Sequence, residues 1–454
     1  MTITGYKFPI NMRIATIIWL ALSFWVSPQL HGQENFTLKR CLDYAKVNHQ
    51  NIKIATNKVA SSIAQRSEGL SLYMPQINGS VSFDDNLIRP TTIIPAGTFS
   101  PTELRVQFGN QFASNAVVQL DQLIYDQSIL SVIKASKPYL EMTELQKAKT
   151  VEDVLYNTAS AYFQVLVVRE QRILLEQNTT KFERLESILK LSVAKGVARE
   201  VDLQRVSVGL SNLKTQVEML KSNEDLLVNR LKLAMGMPID QKIALSDSLA
   251  KPEKAEDPQM KPFSEEKLLD VKILEKSVVL QEFELKRSQA SRIPTVSAYG
   301  RYGAQAFGND LGESFDTWFD YAAIGMRISV PIFAGFRRNN AIKQQELALE
   351  NVKSQADMAI QQLQLRNENA RVSLTSAYNN LGTSQLSINL AENVFQTTEL
   401  EFNKGVANLS DLLNAEYALK EAQSNYIRAL LSYMTARLDY EQSLGTLENY
   451  LQTL

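Results

Sequence analysis

The chain has one cysteine, Cys41, and two histidines, His31 and His49, in 454 residues. A lone thiol closes no disulfide within its own chain, so an exported form must draw its stability from packing or assembly. The histidines stand in no metal-ligand or triad spacing, which leaves zinc and nucleophilic chemistry without its usual side chains. The glycines of residues 300–308 lack phosphate-loop spacing and read as small residues in a strand. Net charge is missing too: 48 basic residues stand against 49 acidic ones, so nothing in the bulk charge attracts nucleic acid. Beyond residue 26 no apolar run reaches the ~18 residues that a membrane helix requires. No enzyme activity, cofactor or metal is expected.

What is present starts at the N-terminus. Lys7 and Arg13 precede an apolar run from Ile14 to Val26, followed by Ser27, Pro28 and polar residues. This is the pattern of a signal peptide, expected over residues 1–32. Cys41 lies too far past the run for lipoprotein-type processing. An exported chain without a membrane helix can enter a membrane only as a closed β-barrel.

The chain also repeats itself. Lys195-Gly196-Val197-Ala198 returns as Lys404-Gly405-Val406-Ala407, and the same shift of 209 residues lays Asp202 on Asp411 and Gly236 on Gly445. The pattern predicts two structural repeats, 33–236 and 264–454, joined by a proline-rich and charged linker at 237–263. Each reads as helix, strand, strand, long helix, tight turn and returning helix. Leu412, Ala415, Leu419, Ala422, Tyr426, Ala429, Tyr433, Ala436 and Tyr440 keep an unbroken 3-4 spacing, as do Leu203, Val206, Leu210, Leu213, Val217 and Leu220 in the first copy. A coiled-coil rod and an ordinary helical bundle both fit those seams. The pattern from Ile129 to Lys195 would span roughly 100 Å, with Pro138 kinking or starting it, while the return from Val201 to Met235 covers about half that length. The segments 38–72 and 265–291 are the expected source of the missing half.

Ile77, Gly79, Val81 and Phe83 alternate with Asn78, Ser80 and Ser82, and Ala322, Ile324, Met326 and Ile328 alternate with Ala323, Gly325 and Arg327. Such period-two segments of about ten residues suit transmembrane strands, and half-buried soluble hairpins equally. Trp318, Phe319 and Tyr321 are expected to mark an interfacial girdle. Four strands cannot close a barrel, since the smallest have about eight, so two or three chains would have to combine.

In this order the features resemble the TolC family of bacterial outer-membrane efflux proteins, over essentially the whole mature chain. Leu38 to Ala55 resembles the family's opening helix, Pro75 and Pro294 its prolines at the strand starts, and Asn403 to Tyr426 its most recognisable segment. The resemblance implies a mainly α fold with a small β part: a long antiparallel α-helical coiled-coil barrel plus four transmembrane strands per chain, a homotrimer closing a 12-stranded β-barrel. It implies a passive channel in the outer membrane with a periplasmic extension, working with a periplasmic adaptor (membrane fusion) protein and an inner-membrane pump or ABC transporter in efflux or type I secretion. Outer-membrane lipid would surround the barrel. Lys195, Gly196, Val197, Lys404, Gly405 and Val406 would lie at the adaptor contact. Asp411, with Asp202 and Asn414, would form the periplasmic pore constriction. Asn414 replaces a second ring carboxylate, Ala407 a gate-locking arginine, and Phe402 lacks a tyrosine hydroxyl; Arg199 is the nearby residue offered for holding the closed state. The alternative is a periplasmic coiled-coil scaffold or adaptor without a membrane barrel.

Overall fold

A computed structural model describes residues 35–97, 101–247 and 260–454; the expected signal segment and part of the 237–263 connection lie outside the described residues. A two-residue strand β1 (Asn35–Phe36) leads into helices α1 (Leu38–Asn48) and α2 (Gln50–Ser71). Strands β2 (Gln76–Asp85), β3 (Thr91–Ile94), β4 (Leu104–Gln107) and β5 (Phe112–Tyr125) follow, then the long helix α3 (Gln127–Ala194) and its return α4 (Glu200–Met235). After a short strand β6 (Ala244–Leu245), the second repeat places α5 (Leu269–Ala290), β7 (Thr295–Gly308), the single turn α6 (Glu313–Asp316), β8 (Trp318–Ser329), the long helix α7 (Arg337–Asn403), its return α8 (Leu409–Ser443) and a terminal α9 (Leu447–Thr453).

The main sheet is antiparallel in the order β2-β5-β7-β8. Its helices follow the same order, because α2 runs into β2, β5 into α3, α5 into β7 and β8 into α7. Accordingly α3 packs against α2 and α4 on one side and against α5 and α8 on the other, while α7 packs chiefly against α5 and α8. The hub helix α3 therefore buries residues over most of its circumference, including Val154, Leu155, Ala159, Tyr162, Val165 and Phe182. It runs through Pro138 without ending, and its 68 residues span roughly 100 Å.

The shorter columns are made of stacked pieces. Helix α4 ends on Gly236 at φ 72°, and α8 is followed by Gly445 at φ 69°; both angles lie in the left-handed region that glycine occupies without a side-chain clash. A Cβ on Gly236 would stand 2.7 Å from the His49 Cα, and one on Gly445 3.2 Å from the Lys267 carbonyl oxygen. The lead-in segments thus abut the returning helices end to end. The segment 38–72 is not one helix, as its pattern suggested, but breaks at His49, whose extended backbone makes room for the glycine and whose Nδ1 accepts from the Asn51 N–H at 3.1 Å.

The core is densest at this joint. Phe36, Cys41, Leu155, Tyr162, Leu231, Met235, Leu438 and Leu447 form one buried cluster. Removing a leucine side chain of this kind from water contributes about 2 kcal/mol. The connection is pinned here: β1 pairs with β6 in parallel, the Leu38 N–H donates to Asp247 at 3.1 Å, the Tyr162 hydroxyl donates to the same carboxylate, and Arg169 donates to the Leu245 carbonyl at 2.8 Å. Burial pushes the Cys41 thiol up to about 12, so it remains protonated and inert.

Substituting Gly236→Ala should lower stability by about 1–3 kcal/mol, since it combines a positive φ with a backbone collision. Gly196→Ala, at φ 73° but with open space around the Cβ position, should cost less. Thermal unfolding of both variants in detergent separates the two contributions, and equal losses would refute the collision.

Candidate functional site

The two helix reversals have the same backbone. In the first, the Gly196 N–H donates to the Val193 carbonyl at 2.9 Å and the Val197 N–H to that of Ser192 at 2.8 Å; in the second, Gly405 donates to Phe402 and Val406 to Glu401, both at 2.9 Å. This is the paired capping that a left-handed glycine after a helix permits. Lys195, Gly196, Val197, Lys404, Gly405 and Val406 are all exposed, and Val197 and Val406 retain 81% and 77% of their surface. The tips lie together: Phe182, Leu189, Val206, Leu210, Leu409 and Leu413 form one cluster against which Phe402 packs, and Arg205 donates to the Ser410 hydroxyl. Phe402 thus sits in an apolar setting where a hydroxyl would need a partner.

The following helices start differently. In the second repeat Asn408 accepts from the Asp411 N–H at 3.0 Å while Asp411 accepts from the Asn408 N–H at 3.2 Å, a reciprocal cap. Asp411 and Asn414 are exposed and three residues apart on α8, so they share a face. In the first repeat Arg199 clasps Asp202 with two N–H donors at 2.9 and 3.1 Å, and Asp202 is only 9% exposed. Arg199 is therefore engaged within its own turn, and Asp202 is neutralised where Asp411 is not.

Sequence reasoning missed Glu416. It is 6% exposed and makes no hydrogen bond or ion pair with the described residues. Burial raises its carboxyl above the ordinary 4.5; Lys181 of α3 and Lys420 of α8 oppose the rise, and Glu399 of α7 adds to it. Its place between Leu412 and Leu419 in the seam was the available signal.

At the other end, the sheet register sorts the strands into two faces. Ile77, Val81, Ala116, Val118, Leu120, Ala298, Ile324, Met326 and Ile328 share one face; Asn78, Asn115, Gln119, Asp121, Tyr299, Arg301, Tyr321 and Arg327 share the other. Tyr321 therefore does not belong to a girdle with Trp318: alternation puts it on the polar face, where its hydroxyl donates to Asn115 Oδ1 at 3.0 Å. Phe319 shares that face, and Trp318 alone of the three lies on the apolar one. The aromatic group there is instead Phe83, stacked between Phe112 and Phe315 at 5.8 and 5.6 Å. On the polar face Tyr321 and Tyr299 lie over Gly303 and Gly325, where a Cβ would meet either tyrosine at 2.7 Å. The rings hug the sheet rather than projecting from it.

Among the described residues no group of His, Cys, Asp and Glu could hold a metal ion, and no helix is long and apolar enough to cross a membrane.

The chain thus sets a helical rod on a two-faced sheet whose two outer strands are singly paired. Residues 278–446 match the family model for outer membrane efflux proteins. The chain is 24% identical over 374 residues to the outer membrane protein TolC of Escherichia coli, covering 74% of this chain and 70% of that protein. It is 22% identical over 445 residues to TolC of Vibrio cholerae, covering 90% and 91%. In fold it superposes on the Campylobacter jejuni outer membrane channel CmeC with a TM-score of 0.72 at 17% identity, over 98% of this chain and 94% of that one. The Vibrio cholerae outer membrane protein VceC gives 0.71 at 15% identity, over 90% and 96%. The chain is thus similar in sequence and in fold to TolC-type outer-membrane efflux proteins, which supports an outer-membrane channel in efflux or secretion over the periplasmic scaffold.

Because burial lifts Glu416, the packed tip favours its protonated form. That contribution is fully present below the ordinary carboxyl value and is lost as pH rises through the elevated one. Glu416→Gln should therefore melt higher than the parent at about pH 8 and together with it at about pH 4. A gap that does not change with pH would refute the burial account.

Proposed function

We propose that this chain is the outer-membrane exit duct of a tripartite efflux or type I secretion system, three copies closing a barrel and a helical tunnel through which cargo passes passively. The observation that carries this reading is the state of its edges. Among the described residues strands β2 and β8 each have one partner, and an unpaired strand edge in lipid leaves backbone groups that cost several kcal/mol each. The helices at the same two edges carry unsatisfied seams. On α7, Met358, Leu365, Val372, Leu386 and Leu400 are exposed at multiples of seven residues; on α4, Val201 and Val208, then Met219, Leu226 and Leu233, do the same. A heptad stripe of this kind is what a partner helix buries. One edge of the next copy therefore completes both the sheet and the rod, as a head-to-tail ring requires. Two copies would give about eight strands, whose interior side chains fill; a conduit with Tyr299 and Tyr321 along its wall needs a third.

Within that ring the apolar sheet face contacts outer-membrane lipid and the polar face lines the bore. The tips at Lys195, Gly196, Val197, Lys404, Gly405 and Val406 form the docking surface for a periplasmic adaptor, which links the duct to an inner-membrane pump or ABC transporter. Asp411 and Asn414 narrow the periplasmic entrance, with Asp202 behind them held by Arg199. Three Asp411 carboxylates facing one pore favour cations. Residues 1–32 direct export and are then removed. The chain performs no catalysis: energy comes from the pump, and no nucleic acid is involved.

The protein should stay in the outer-membrane fraction after salt and carbonate washes and run at the mass of three chains in mild detergent. Recovery as a soluble periplasmic subunit would end the proposal. In planar bilayers the cation preference should fall severalfold with Asp411→Ala, and an unchanged preference would remove the acidic ring.

A further inference from the structure

We infer that the base of the second-repeat hairpin holds the phosphate of an anionic phospholipid headgroup, one site per chain; this rests on the membrane placement proposed above. The apolar column of β8 does not stop with the strand. Beyond Ile324, Met326 and Ile328 it continues through Ile332 and Phe333, 93% and 76% exposed, to Phe336, which meets Phe333 edge-on at 5.8 Å. Exposed aromatics at the end of a lipid-facing strand belong at headgroup depth.

Positive charge gathers at the same level. Arg292, at the base of β7, and Arg338 line one cleft with Ile332, Phe333 and Phe336, and Arg337 is the adjacent residue. Arg292 donates to Asn339 Oδ1 at 2.9 Å, and the guanidiniums of Arg337 and Arg338 meet no carboxylate among the described residues. The sequence from Tyr321 to Gln345 contains no Asp or Glu. The first repeat is different: at the shift of 209 residues Asp126, Ser128 and Ile129 stand where Gly335, Arg337 and Arg338 do, and Asp126 accepts from the Ser128 N–H at 2.8 Å. Chain reversal alone thus does not call for arginines. Guanidinium groups match the oxygens of a phosphate, and basic clusters beside a membrane select anionic lipid. Free inorganic phosphate offers the same oxygens, but the apolar side chains sharing the cleft favour a ligand that also brings acyl chains.

Native mass spectrometry of the full protein released from detergent tests this, with phosphatidylglycerol and phosphatidylcholine of matched chains as probes. Phosphatidylglycerol should be retained at up to one per chain, with about tenfold preference over phosphatidylcholine, and Arg292→Gln with Arg338→Gln should abolish that preference. Arg66→Gln, at the base of the first repeat, should leave it intact. If the double variant does not assemble, Arg338→Gln alone should weaken the preference severalfold. Equal retention of the two lipids, an unaltered preference in the Arg338 variants, or displacement by millimolar inorganic phosphate would each overturn the inference. Retention is counted per chain, so it is decided whatever the assembly mass, and that mass reports separately on the three-copy ring.

Discussion

Backbone amides in hydrocarbon have no water to turn to, and from that single requirement most of this architecture follows. Among the described residues the four-stranded sheet leaves its two outer strands singly paired, and in lipid such margins carry the cost of unpaired backbone groups. The helices continue the strand order, so the same two margins recur along the rod, and there the chain carries leucine, methionine and valine at heptad intervals on otherwise polar surfaces. Sheet and rod are thus unfinished in the same places.

The two repeats are alike in backbone and unlike in charge. Both reversals use the same glycine geometry and the same hydrogen bonds, because a tight turn between long antiparallel helices leaves few solutions. The side chains that follow are free to differ. One repeat spends its acidic residue on an arginine three positions earlier; the other leaves Asp411 exposed beside Asn414. At the membrane end the asymmetry returns, with an aspartate capping the first long helix and arginines opening the second.

Period-two alternation revealed the strands because a sheet between oil and water fixes each side chain's face. The same alternation should have separated Trp318 from Tyr321, which composition alone had grouped. The seam from Leu412 to Tyr440 was legible as intrachain packing, but the stripe from Met358 to Leu400 was overlooked: its apolar residues are diluted by asparagine, glutamine and serine, and only the constant interval of seven marks it. Asp202 and Asp411 occupy equivalent positions, and nothing short of side-chain geometry shows that Arg199 cancels one and leaves the other. Glu416 is buried, and a seam flanked by polar positions hides which of them turns inward.

The splices at Gly236 and Gly445 have a mechanical consequence. Each chain sets two continuous columns beside two articulated ones, and the articulations lie at one height, around the densest part of the core. A tug on the tips travels undiminished along the unbroken members, while the others yield at their knuckles. The joints of both articulated columns thus fall in one belt about halfway along the rod, away from the sheet.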